Sequence, residues 1–110
     1  MPVYHKLVRD RIPVIIQQSG KKCVTKILTD EEYRKELQKK MTEELNEYVQ
    51  AESSEQAIEE LADLLELIHA LAKCHGSTIE EVEAFRKKKA AERGGFEEKI
   101  FLIEVEDEGR

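Results

Sequence analysis

Three times in this 110-residue chain a hydroxylated residue is followed three positions later by Glu or Gln and then by an apolar run: Thr29 with Glu32, Ser53 with Gln56, and Ser77 with Glu80. That spacing is a capping box, in which the two side chains satisfy amides left unpaired at a helix start. It predicts one helix from about Asp30 to Ala51 and a second from Ser53 to about His75, stopped by Gly76. A third follows from Ser77 to near Arg93, ahead of Gly94 and Gly95. Three long helices in succession leave little chain for anything else.

The remainder is read more locally. Asp10 is placed to cap a short helix through Val8–Gln18, with Pro13 in its first turn and Gly20 closing it. Lys21–Leu28 and Lys99–Glu106 read as two short strands that would pair with each other. The last residues, 106–110, are expected to fray. No internal repeat or linker divides the chain, so one mainly helical domain spanning 1–110 is expected. Aromatic residues make up 5% of the chain and Trp is absent, which also favours aliphatic helix seams over a β-sandwich.

The charge balance narrows the partners. A formal net charge of -6 opposes a nucleic-acid backbone and instead suits cations. Leu61–Ala72 is the longest apolar segment, yet Asp63, Glu66 and His69 interrupt it, so no membrane span is expected. The start of the chain has no signal-like apolar stretch. Cys23 and Cys74 form no CxxC pair and read as reduced, packed thiols of a cytoplasmic protein.

The acids are the informative residues once each helix is placed on a wheel at about 100° per residue. On the first long helix Tyr33, Leu37, Met41, Leu45, Tyr48 and Val49 span an arc of about 160°, with Glu44 inside it and Glu47 at its edge. On the second, Glu60 projects between Leu67 and Leu71, and Asp63 borders the same arc. Glu59 and Glu66 face the other way. An unpaired carboxylate turned inward costs several kcal/mol unless it takes up a proton or meets a cation. Two i,i+3 pairs directed at one interior therefore point to a divalent metal, and four hard oxygen donors suit Mg²⁺, with Mn²⁺ able to replace it. The bland alternative is that flanking acids of charged helices are satisfied by Lys and Arg, as any single ExxE would be.

Cations show a related anomaly. On the third long helix Arg86, Lys89 and Arg93 continue the apolar face of Ile79, Val82 and Phe85. Basic residues near a helix end complement its dipole without any ligand, which accounts for Lys87 and Lys88. A cationic row that extends an apolar face also suits the oxygens of a triphosphate. His5, His69 and His75 fit no HExxH or nucleophile-activating pattern, and no P-loop is present.

At this point the chain resembles the MazG-like all-α nucleotide pyrophosphohydrolases, a superfamily that includes phosphoribosyl-ATP pyrophosphohydrolase. The family pattern of EExxE followed by ExxD appears as Glu43-Glu44-Leu45-Asn46-Glu47 and Glu60-Leu61-Ala62-Asp63. The opening YHKLVRDRIP and the later KKKAAERGGF look like one branch of it, described as phosphoribosyl-ATP pyrophosphohydrolase-like. The resemblance implies a MazG-like helical bundle completed by dimerisation. It also implies Mg²⁺ ligands at Glu44, Glu47, Glu60 and Asp63, with Glu43 helping behind them. Lys6, Arg9, Lys89 and Arg93 would approach the substrate phosphates, joined by Arg86 on the cationic row.

The expected reaction is Mg²⁺-dependent hydrolysis of a nucleoside triphosphate to a monophosphate and pyrophosphate, in nucleotide-pool cleaning. No Ser-Tyr-Thr segment of the kind associated with the histidine-pathway enzyme precedes the acidic helix, so nucleotide-pool cleaning is the better match. Phosphoribosyl-ATP hydrolysis stays open as one alternative, and a non-catalytic helical regulatory or dimerisation module as another. A homodimer or larger homo-oligomer is expected, because the apolar arc of the second long helix, about 160° wide, exceeds the stripe of about 100° that a surface helix buries.

Overall fold

The computed structural model describes residues 2–107, and in them the chain is all-helical. Four helices follow one another: α1 (Ile12–Gln18), α2 (Asp30–Val49), α3 (Ser54–Cys74) and α4 (Ile79–Arg93). Two compact units divide the chain, Met1–Ile79 and Glu80–Arg110.

The start of α2 is the capping box in full. Glu32 N–H donates to Thr29 Oγ1 at 3.2 Å, and Thr29 N–H donates to Glu32 Oε1 at 3.0 Å. At α3 only half of the box forms as expected. Gln56 N–H donates to Ser53 Oγ at 3.1 Å, but the Gln56 side chain reaches one residue further back and accepts from Glu52 N–H at 3.2 Å. Each contact is worth about 1 kcal/mol of helix stability, so both starts are well determined. The α4 helix begins at Ile79, which makes Thr78 rather than Ser77 its flanking residue.

Gly76 ends α3 in a left-handed turn with φ of 72°. Its N–H donates to Lys73 O at 3.0 Å, and Ser77 N–H donates to Ala72 O at 2.9 Å, the double closure that a left-handed glycine allows. Gly20 closes α1 in the same way, through Gln17 O and Ile16 O.

Two expectations need correction. The residue flanking α1 is Arg11, which makes no side-chain cap; Asp10 stands one position too early, and Pro13 removes one of the amides it would have met. No strand is present among the described residues, which include both expected segments, so the expected two-stranded element is not formed there. Val24, Ile27, Phe101 and Ile103 are all exposed instead. A lone pair of short strands is marginal in water, and β-rich composition does not by itself supply a partner. The expected frayed end at 106–110 lies mostly outside the described residues.

Within the first unit, α2 packs on α3. Among the described residues only Leu37, Leu67 and Ala72 are buried, so this seam is a narrow core. Leu45 and Val49 on α2, with Ile58, Leu61 and Leu65 on α3, remain exposed at helical spacing near the connection between the two helices. Cys23 and Cys74 are free and half-buried. In the second unit α4 carries its apolar residues Val82 and Phe85 exposed. No described helix is long and apolar enough to cross a membrane.

Candidate metal centre

The antiparallel seam of α2 and α3 brings Glu44, Glu47 and Glu60 together. Each offers a carboxylate oxygen, and these oxygens lie within 4.8 Å of one another. The i,i+3 spacing puts Glu44 and Glu47 one turn apart on α2, while Glu60 meets them from α3. Glu44 is the most enclosed, with its side chain only 12% exposed. Glu44 Oε2 and Glu60 Oε2 are buried and have no hydrogen-bond partner.

Two ionised carboxylates cannot donate to each other, so this arrangement asks for a proton or a cation. Loss of water around Glu44 is the main force raising its pKa, followed by the Glu60 and Glu47 carboxyls and the charges of Glu47 and Asp63. Together they push it up to about 7. For Glu60 the Glu44 carboxyl acts oppositely and holds the pKa down, but desolvation, Glu47 and Asp63 outweigh it and the net shift is upward. One shared proton would relieve both groups. A divalent ion relieves them better, because it neutralises more charge and accepts several hard oxygens at once. The donor set therefore fits Mg²⁺ or Mn²⁺.

Asp63 is one turn beyond Glu60 but stands outside that group. Its Oδ1 accepts from Arg9 Nη2 at 2.7 Å. Lys6 Nζ lies 3.8 Å from Glu43 Oε2. The segment before α1 thus lays two cations on the acidic motif, although neither neighbours it in sequence. Lys6, Leu7, Glu36, Lys39, Lys40 and Glu43 line a shallow depression there. Lys40 is the residue the wheel overlooked: its Nζ is 4.0 Å from Glu44 Oε1 and its side chain is only 28% exposed. Its i,i+4 spacing from Glu44 was a readable signal.

The remaining expected residues lie on α4 and are described within the second unit. Arg86 is engaged by its own helix, donating through Nε to both oxygens of Glu83 at 2.9 Å, which lowers the pKa of Glu83. Lys89 and Arg93 are exposed.

The family model described as phosphoribosyl-ATP pyrophosphohydrolase matches residues 6–91. The chain is also 43% identical over 54 residues to an uncharacterized protein of Mycolicibacterium smegmatis. That alignment covers 49% of this chain and 55% of the relative, so the chain spans about half the length of the curated relative it matches. No solved structure matches the chain. The family match runs from Lys6 through both acidic helices and most of α4, so this chain belongs to the phosphoribosyl-ATP pyrophosphohydrolase family, within the MazG-like all-helical class.

Proposed function

We propose that this protein hydrolyses the bond between the α and β phosphates of a nucleoside triphosphate, with Mg²⁺ as cofactor, releasing a nucleoside monophosphate and pyrophosphate. Its role would be nucleotide-pool cleaning in the cytoplasm. The supporting observation is the convergence of Glu44, Glu47 and Glu60, with two buried oxygens that have no partner. Asp63 is the fourth ligand of the set, contributed from the same face of α3.

When bound, Mg²⁺ supplies charge neutralisation at the phosphates and a water acidic enough to attack phosphorus near neutral pH. The chain's own residues hold and aim. The α2–α3 seam keeps the carboxylates oriented and partly dry, which strengthens their hold on a cation. Lys6 and Arg9, already beside the acidic motif, neutralise outer phosphate oxygens. Arg86, Lys89 and Arg93 are assigned to the same role by their common helix face and the family resemblance. Water is the nucleophile, because no Ser, Cys or His stands among the clustered acids.

The oligomer belongs to the same reading. Exposed Leu45, Val49, Ile58, Leu61 and Leu65 form apolar stripes on both helices that carry the acids. A second copy packing there would complete a helical core around the site.

Phosphorus NMR of the products decides the reaction. With Mg²⁺ the expected products are a monophosphate and pyrophosphate, and none form in excess chelator. Release of the terminal phosphate alone would defeat the proposal. Phosphoribosyl-ATP hydrolysis is the second reading, favoured by the description of the matching family. Preferential turnover of that compound over ordinary and modified triphosphates would establish it.

A further inference from the structure

Arg9 and Asp63 stand 54 positions apart in sequence, yet their side chains meet at 2.7 Å. Asp63 shares the acidic face of α3 with Glu60 but is absent from the close group formed by Glu44, Glu47 and Glu60. Its ion pair with Arg9 lies in the open, with the two side chains 58% and 42% exposed. Nothing in the packing locks the two together. Arg9 lies at the end of a segment without regular structure, just before α1, so its side chain can withdraw without unwinding a helix.

A divalent ion seated among the three glutamates would attract the Asp63 carboxylate and repel the guanidinium that holds it. We infer that Arg9 is a positioning residue that keeps Asp63 in reserve: cation entry draws Asp63 into the cluster and releases Arg9, so the two occur as one exchange. This rests on the reading of the acidic cluster as a cation site. Exposed ion pairs are weak, so the exchange lowers cation affinity only severalfold, while tying the arrival of the cation to the freeing of a guanidinium beside it.

Calorimetric titration with Mn²⁺, at one pH and ionic strength, tests the exchange in the wild type, Arg9→Gln, Asp63→Asn and the double variant. Circular dichroism would check that each is folded. Arg9→Gln should bind Mn²⁺ roughly three- to fivefold more tightly than the wild type. Arg9→Lys, which keeps the charge, should return affinity toward the wild-type value. In the Asp63→Asn background the same Arg9→Gln change should alter affinity by less than about 1.5-fold, because its partner is already gone. No gain in Arg9→Gln overturns the exchange, as does an equal gain with and without Asp63, which would mark Arg9 as a general field effect. Mn²⁺ binding that depends on Glu47 but ignores Arg9 defeats the exchange alone. A wild type that binds no Mn²⁺ defeats both the cation site and the exchange.

Discussion

Lys40 Nζ stands 4.0 Å from Glu44 Oε1, one turn earlier on α2, and both side chains are largely shielded from water. An ammonium so placed helps carry the charge of an acid that three other carboxylates discourage. The pKa of Glu44 still stands at about 7, above its ordinary value of 4.5. Between those values the folded protein holds a proton that the unfolded chain has released. The stability from this group is therefore full below about 4.5 and is lost as pH rises through 7. Within the window between 4.5 and about 7, where Glu44 loses its proton, the metal-free protein should melt a few degrees lower as pH rises. Glu44→Gln should flatten that dependence, and Lys40→Met should steepen it by making the ionised form costlier. Thermal melts in chelator across the range would check both. Added Mg²⁺ should reverse the trend above neutrality, because a cation replaces the proton.

The proposed ligand set predicts a sharp division among the acids of the two helices. Glu47→Gln and Asp63→Asn keep side-chain shape while removing charge, and each should lower pyrophosphate release by about 100-fold or more. Glu59→Gln and Glu66→Gln, on the exposed face of α3, should stay within about twofold of the wild type. Steady-state assays at saturating Mg²⁺ would separate the groups. Equal losses in all four would mean that overall acidity, not a directed site, supports the activity.

On α4 the prediction concerns substrate use. Lys89→Ala and Arg93→Ala should each raise KM by about tenfold, the loss expected for a charge-assisted phosphate contact. Lys87→Ala, off that face, should change KM little. Kinetics with one triphosphate at fixed ionic strength would test this, and equal effects from all three would point to general attraction.

Self-association should follow the open apolar stripes. Light scattering at micromolar concentration should give at least a dimer, and Leu61→Glu or Leu65→Glu should shift it toward monomer, since each places a charge where a second copy would pack. A folded, active wild-type monomer would refute the assembly.

The helices were legible because their signals are local. Thr29 with Glu32 and Gly76 specify their ends through contacts only a few residues apart, and Glu44 betrayed itself by its phase among Leu37 and Met41. What could not be read is long-range or conditional. Nothing near Arg9 or Asp63 in sequence announces their meeting, and the place of Lys6 beside Glu43 depends on how the segment before α1 lies across the fold. Lys21–Leu28 and Lys99–Glu106 have strand-like composition, but backbone pairing depends on a partner that composition cannot specify. Asp10 misled because a one-position offset is decisive for a cap and invisible to a pattern.

The connection between α2 and α3 is only a few residues long, and Glu47 and Glu60 lie close to it on either side. The chemistry is thereby stored as a phase relation between two periodic objects joined at a short pivot. Deleting one residue between Ser54 and Glu60 would turn Glu60 and Asp63 by about 100° relative to the helix start, away from α2. Adding a residue within the connection itself would leave both helical phases intact. A length change should therefore be tolerated at the pivot and disruptive only a few residues beyond it.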